Sequence, residues 1–226
     1  MKSSTIRTIV RDAIVTAALV ATALAATSPP AATKTASMDL FARATNPNPT
    51  LNSYTAAAQL SALLHAIIPV HKTFSGTVYY LRPTRKIEFQ NVPGALSQFR
   101  ELAQTTPSYE QAMQDYTITP GTDDGHISTY SLIPKKSGGR VKSMTITITD
   151  RTALLKSAHW FYTNNGNLLF SQHYHQVGIF HLPWKATISA RFPGYSVDGD
   201  LTFSKYQLNA TVSPSVFASP SASPKP

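Results

Sequence analysis

Residues 144–149 read Met144-Thr145-Ile146-Thr147-Ile148-Thr149, and this stretch decides the fold class. Apolar residues alternate strictly with threonines. Successive side chains of a β-strand point to opposite faces of a sheet, so the alternation places the apolar residues on one face and the hydroxyls on the other. The pattern predicts a half-buried antiparallel strand rather than a helix.

The same alternation recurs on both sides of this stretch, from residue 73 to about residue 212. Further strands are predicted over residues 73–81, 85–92, 126–133, 158–163, 168–177, 184–192 and 197–208. Turn residues separate them, for example Pro83 between the first two and Asn165-Gly166 later in the chain. Runs joined by short turns pair in sequence order, so the sequence predicts one curved antiparallel sheet of about eight strands.

In two regions alternation alone does not assign the secondary structure. Residues 54–66 alternate but are rich in Ala and Leu, so periodicity alone leaves strand and helix open. Residues 93–125 hold two predicted helical pieces, one over 95–104 and one beginning at Pro107, because Pro suits a first helical turn. A helical insertion in such a pattern predicts a lid or plug over the sheet and a mainly β protein of the α+β class.

The two ends of the chain differ in composition from the middle. Basic residues precede an apolar run that is too short to span a bilayer and ends in Ala23-Leu24-Ala25, which predicts a signal peptide over residues 1–25, cleaved near Ala25. Residues 26–36 are predicted to be a disordered leader and the Pro/Ser-rich residues 213–226 a disordered tail. We therefore expect one domain over residues 37–212 of an exported protein, with periplasmic and extracellular locations both open.

The chain is basic, with 20 Lys and Arg against 11 Asp and Glu and a net charge of +9. Such a balance allows nucleic acid, anionic lipid or acidic polysaccharide as a partner. Export separates the protein from most nucleic acid, so we expect no nucleic-acid partner and favour an anionic membrane surface. The absence of cysteine excludes a disulfide scaffold, a thiol enzyme and a Cys-ligated metal site.

Patterns for catalysis or metal binding are weak. The sequence has no Gly-x-Ser-x-Gly elbow and no phosphate-binding loop. Asp198 and Asp200 flank Gly199, where carboxylates are typically solvated. His173 and His175 share a strand face but supply half a metal site at most. We predict that the protein is not an enzyme and has no catalytic residues, metal or cofactor.

One segment resembles a known family. The run Gly76-Thr77-Val78-Tyr79-Tyr80-Leu81-Arg82-Pro83 resembles the Gly-x-Φ-x-x-x-Arg-Pro segment of the outer-membrane lipoprotein-sorting, or LolA-like, family, where Φ is apolar. Further matching segments lie at residues 160–166, 172–174, 182–183 and 206–209, and the resemblance covers most of residues 50–212. It implies an incomplete, strongly curved antiparallel β-barrel with a helical lid over an apolar cavity. It also favours a strand over residues 54–66 and a helix over residues 35–45.

The resemblance also carries functional implications. Proteins of this family carry the acyl chains of lipoproteins or other lipids, without chemistry or cofactor, so it implies an exported lipid- or lipoprotein-binding carrier, which we expect to be a monomer. In the family, the Arg before this Pro helps to hold the lid closed. Arg82 occupies the matching position, and the resemblance implies the same latch role for it.

Alternation supplies candidate lipid-binding residues, all apolar or aromatic and all assigned to one sheet face. They are Val78, Tyr80, Ile87, Phe89, Ile146, Ile148, Phe170 and Ile188. The same residues fit an ordinary filled core equally well, and the pattern does not decide which face is concave. The alternative hypothesis is therefore a secreted, non-enzymatic, envelope-associated structural or adhesive protein with a filled core.

Overall fold

One antiparallel sheet dominates the computed structural model, which describes residues 34–65, 69–91, 101–105 and 107–217. Its 12 strands are β1 (Lys34–Thr35), β2 (Ser53–His65), β3 (Val70–Leu81), β4 (Thr84–Phe89), β5 (Glu101–Thr105), β6 (Tyr116–Asp123), β7 (Ile127–Pro134), β8 (Val141–Thr149), β9 (Leu154–Tyr162), β10 (Asn167–Val177), β11 (Phe180–Phe192) and β12 (Tyr195–Leu208). The helices are α1 (Met38–Ala44), α2 (Tyr109–Asp115) and a 3₁₀ helix over Pro214–Phe217.

The strand order is β1-β6-β7-β8-β9-β10-β11-β12-β2-β3-β4-β5. Strands β6 to β12 form one meander and β2 to β5 form another, each in sequence order as predicted. The pairing of β12 with β2 joins the two meanders, for example through Leu201 opposite Leu60. Strands β1 and β5 remain at the two edges, so the sheet is not closed into a barrel and matches the predicted incomplete barrel.

Cross-strand register confirms the alternation read in residues 144–149. Ile146 lies opposite Ala158, Ala158 opposite Phe170, and Phe170 opposite Ile188. Residues directly opposite each other on antiparallel strands share a face. This face carries the core and is called the inner face below; the face that carries Thr145 and its neighbours is the outer face.

The inner face holds two separate apolar clusters. The first lies on β2, β3, β4, β11 and β12 and contains Leu51, Tyr54, Ala56, Ala58, Leu60, Phe74, Val78, Ile87, Phe89, Leu182, Ala186, Leu201 and Phe203. The second joins the two helices to β7, β8 and β9 and contains Ala36, Leu40, Phe41, Ala112, Tyr130, Leu132, Met144, Ile148, Ala153 and Ala158. The helices therefore cover one half of the sheet, while large side chains fill the other half.

Several boundaries differ from the sequence predictions. Residues 54–65 of the ambiguous stretch lie in strand β2, residue 66 lies outside the described residues, and the helix expected over residues 35–45 is α1. The helix expected over 95–104 is wrong at its end, because Glu101–Thr105 pair with β4 as strand β5. Backbone hydrogen bonds offered by the edge of β4 outweigh local helix propensity there. Residues 95–100 of this prediction lie outside the described residues.

The second predicted helix is α2, although it begins two residues after Pro107. Ser108 caps it, since its Oγ accepts a hydrogen bond from the backbone N–H of Gln111 at 3.2 Å. The helical insertion predicted near 93–125 is nevertheless too long, because Tyr116–Asp123 form β6 and pair with β7. The described residues contain 12 strands where about eight were expected, and the additional ones are β1, β2, β5 and β6. Only β1 and β5 are short edge strands, which carry little sequence pattern.

The described residues include only parts of the predicted N-terminal and C-terminal segments. The signal peptide over 1–25 lies outside them, as do most of the leader and of the tail. The leader prediction is wrong at its end, where Lys34–Thr35 pair with β6. The tail begins as an ordered 3₁₀ helix, and the carbonyl oxygen of Val216 accepts a hydrogen bond from Lys86 Nζ at 2.7 Å. No helix in the described part of the chain has the length and apolar character needed to cross a membrane.

Candidate binding cavity

A cavity of about 830 Å³ lies between the two apolar clusters on the inner face. This volume falls within the range of about 300–1,000 Å³ that is usual for small-molecule sites. Phe41 of α1 and Tyr109 and Ala112 of α2 contribute to its lining. The inner face therefore encloses room for a ligand, which the filled-core hypothesis did not expect.

Strands β8 and β9 provide an apolar wall, which consists of Met144, Ile146, Ile148, Leu155 and Trp160. Met144 and Ile148 are buried by their neighbours in the second cluster. Ile146 is only partly buried, since it faces the cavity between them. The alternation of residues 144–149 thus places one continuous apolar stripe against the empty space.

The facing wall is aromatic and polar, and we call it the tyrosine wall: Tyr54, Tyr80, Arg85, Gln172 and Tyr174. Tyr54 and Tyr80 are direct cross-strand partners, and their rings stack at 4.9 Å between centroids. Arg85 lies opposite Tyr80 on the next strand, with its guanidinium 6.0 Å from the ring centroid of Phe203. The register of β2, β3 and β4 therefore brings Tyr54, Tyr80 and Arg85 together, and β10 contributes Gln172 and Tyr174.

Burial governs the ionisation of the phenols. It raises the pKa of Tyr54, while the neighbouring Arg85 guanidinium acts in the opposite direction. Burial likewise raises the pKa of Tyr174 and of Tyr206, again against the effect of Arg85. The Tyr206 hydroxyl donates a hydrogen bond to the carbonyl oxygen of Pro183. These phenols stay protonated through the physiological pH range, so they remain hydrogen-bond donors.

A loop that we call the strap, residues 46–52, runs from the end of α1 to β2 along the cavity. Arg82 holds it, because its Nε donates to the Leu51 carbonyl at 3.0 Å and its Nη2 donates to the Leu51 and Asn48 carbonyls at 2.5 and 3.2 Å. Asn48 fastens the other side, since its side-chain amide donates to the His181 carbonyl at 2.9 Å and its Oδ1 accepts from the His181 backbone N–H at 3.1 Å. The strap therefore bridges the β3–β4 turn and β11.

Helix α1 (Met38–Ala44) is fixed against the sheet at its N-cap residue, Ser37. Ser37 Oγ accepts the backbone N–H of Asp39, and the Ser37 carbonyl accepts the Tyr130 hydroxyl at 2.5 Å. The ring of Phe41 packs at 5.1 Å from Tyr130 and at 6.3 Å from Tyr109 of α2. Aromatic contacts thus couple the two helices that cover the cavity.

The structure places all eight predicted lipid-binding residues on the inner face, by register. Three of them, Tyr80, Ile146 and Ile148, line the cavity. The other five, which are Val78, Ile87, Phe89, Phe170 and Ile188, are not among its lining residues. Val78, Ile87 and Phe89 belong to the first cluster, where Phe170 packs against them. A lipid-binding role for any of the eight stays a prediction.

Sequence reasoning missed most of the tyrosine wall. Period-two counting from Phe170 places Gln172 and Tyr174 on the same strand face, but the predicted lipid-binding residues include only Phe170 from this strand. Tyr54 was hidden because residues 54–66 also fitted a helix. Arg85 had no distinguishing signal, since a basic residue after a turn is usually exposed.

The polar groups outside the cavity form surface contacts. Asp198 bonds to Arg191 at 2.8 Å and to His65 at 2.9 Å on the outer face. Burial acts to raise the pKa of Asp198, but hydrogen bonds led by that from Arg191 outweigh it and lower the pKa. His173 and His175, which share one face of β10, are both exposed. Among the described residues, no group of three His, Cys, Asp or Glu side chains is arranged to hold a metal ion.

Comparison with known proteins identifies solved structures that share this architecture. No family model matches the chain, and no curated protein matches it. A solved domain named for outer membrane lipoprotein sorting, from Vibrio parahaemolyticus, superposes with a TM-score of 0.56 at 8% identity, over 80% of this chain and 95% of that one. A LolA superfamily protein from Nitrosomonas europaea superposes with a TM-score of 0.54 at 8% identity, over 80% and 97% respectively. The chain therefore has the LolA-like fold that the Arg-Pro segment implied.

Proposed function

We propose that the protein binds the acyl chain of a lipid or lipoprotein in the cavity and carries it, without catalysing a reaction. The observation that supports this most directly is the cavity of about 830 Å³, with an apolar wall on one side and a strap across its lining. The LolA-like fold of the chain is consistent with it. The predicted signal peptide would bring the carrier out of the cytoplasm, where its basic charge would favour an anionic membrane surface.

The energetics favour an acyl chain as the occupant. Each buried methylene contributes about 0.8 kcal/mol, so a chain of about 16 carbons gains roughly 13 kcal/mol before ordering costs. Those costs for association amount to at least about 4 kcal/mol, which leaves at most about 9 kcal/mol and therefore a Kd in the micromolar range or weaker. Release of the acyl chain then requires the strap or the helices to move, because they cover the cavity.

The test begins with the full exported protein, purified without detergent and extracted with organic solvent. We expect a stoichiometric lipid in the extract by mass spectrometry. The variant Ile146→Glu should lose it, since a carboxylate on the apolar wall would have to be desolvated against the chain. The control Thr147→Glu places the same charge on the outer face of the same strand and should keep the lipid. An extract without lipid, from a protein that also takes up no fluorescent acyl probe, would refute the proposal.

A further inference from the structure

The two walls of the cavity differ in chemistry, and this difference bears on what the ligand must be. The wall on β8 and β9 is apolar, whereas the tyrosine wall carries a guanidinium, an amide and phenols. A purely hydrocarbon ligand would leave those polar groups against alkyl surface, which is unfavourable. A ligand with an apolar part and a polar part would satisfy both walls.

The charged side chains in the cavity lining indicate which charge the polar part of the ligand should carry. The cavity lining includes two guanidiniums, from Arg82 and Arg85. Arg82 is committed to the strap carbonyls. Glu110 is the sole carboxylate among the described lining residues, and it lies exposed at the start of α2, where Ser108 Oγ donates to it at 2.8 Å. The lining is therefore net positive on the side of the tyrosine wall.

The surroundings of Arg85 suit a bound anion. Its guanidinium lies by Phe203 and acts electrostatically on Tyr54, Tyr174 and Tyr206, whose phenols stay protonated. A guanidinium presents five N–H donors in a planar fork that matches carboxylate or phosphate oxygens. The protonated phenols of Tyr54 and Tyr174, which line the cavity, add O–H donors for the same oxygens, whereas the Tyr206 hydroxyl already donates to the Pro183 carbonyl. Arg82, which holds the strap, lines the same cavity as Arg85.

We propose that the ligand is an amphiphile with an anionic head group, whose carboxylate or phosphate oxygens bind Arg85 and the phenols of the tyrosine wall while its alkyl chain lies along the apolar wall. This inference rests on the proposed function, because it assigns a ligand class to the same cavity. It makes the cavity selective for a charged head as well as for a long chain, so chain length alone does not determine affinity.

The experiment compares cis-parinaric acid with its methyl ester by fluorescence titration, using the full delipidated protein. The two ligands share one alkyl chain and differ in the negative charge. We expect the acid to bind about ten- to hundredfold more tightly than the ester, which is the range of a hydrogen bond between charged groups. Competition by a lysophosphatidic acid or by a free fatty acid then separates phosphate from carboxylate as the preferred head.

Variants connect the preference to Arg85. Arg85→Gln should remove the preference for the acid, because it weakens acid binding far more than ester binding, and an unchanged far-UV circular dichroism spectrum reports that the variant is folded. Arg85→Lys should keep part of the preference, since it retains the charge without the planar fork. Arg140→Gln removes one exposed cation from the β7–β8 turn and should change nothing.

The outcomes separate this inference from the proposed function. Equal affinities of the wild-type protein for acid and ester overturn the head-group assignment and leave the acyl carrier standing. A preference for the acid that survives in Arg85→Gln also overturns it. Binding of neither ligand by the wild-type protein refutes the carrier itself, and this inference with it.

Discussion

Replacing Arg82 with Met should loosen the strap without unfolding the sheet. The Arg82 side chain donates to two carbonyl groups, those of Leu51 and Asn48. Asn48 is half-exposed, so its carbonyl regains water in the variant, whereas Leu51 is 1% exposed and loses its donors without replacement. The loss then equals about one charge-assisted hydrogen bond, roughly 1.5–3 kcal/mol. That raises the open population of the strap by about ten- to hundredfold, because about 1.4 kcal/mol corresponds to a factor of ten.

Hydrogen exchange measures this opening directly. The amide of Leu51 donates to the Asn48 carbonyl, and the amide of His181 donates to Asn48 Oδ1, so both report on the strap. Each should exchange about ten- to hundredfold faster in Arg82→Met, while the amide of Ile146 in β8 keeps its rate. Dissociation of a bound acyl probe should accelerate by a similar factor.

The matched control is Arg191→Met, which removes an outer-face guanidinium bound to Asp198. It should change neither the exchange of the Leu51 amide nor probe release. Unchanged strap exchange in Arg82→Met would refute the latch reasoning. Faster exchange with unchanged probe release would show that the strap does not control the exit of the ligand.

Three further predictions concern packing, ionisation and the C-terminal segment. Gly76→Ala should lower the free energy of unfolding by about 1–3 kcal/mol in urea titrations, since a Cβ would lie 2.4 Å from a backbone oxygen of β4, whereas Gly139→Ala in open space should leave it nearly unchanged. Stability should fall as pH rises above about 10, because the unfolded state then loses phenolic protons that the folded state retains, and Tyr174→Phe should flatten this fall in denaturant titrations at several alkaline pH values. Lys86→Met should free Pro214–Phe217, so that limited proteolysis cuts there faster; an unchanged rate would contradict the role of the Lys86 hydrogen bond to Val216.

Local sequence patterns predicted the meander of β6 to β12 well. The alternation of residues 144–149 fixed the face of β8, and the register across β9 and β10 then followed, because period two leaves no freedom once one face is buried. The Pro and Gly turns between strands carried the order of β6 to β12. Alternation and turns depend only on residues that are close in sequence, so they can be predicted from one amino-acid sequence.

Long-range pairing was not predictable in the same way. The β12–β2 ladder joins residues far apart in the chain, and no local pattern encodes that partner. Strand β5 exists because β4 offers a free edge, which a sequence window over residues 95–104 does not contain. The tyrosine wall is likewise assembled from β2, β3, β4 and β10, so its composition became visible only after the ladders were known.

The open sheet itself accounts for the cavity. Strands β5 and β6 are consecutive in the chain but lie toward opposite edges of the sheet, so the connection that contains α2 crosses from one side to the other. Helices of seven residues each cover the half of the inner face on β7 to β9, and aromatic side chains fill the other half. Neither the helices nor the aromatic side chains fill the boundary between the two clusters, and the cavity lies at that boundary. The topology that leaves the barrel open therefore also leaves space beside α2 and the strap, and under the proposed function an acyl chain bound there would complete a core that the chain does not fill by itself.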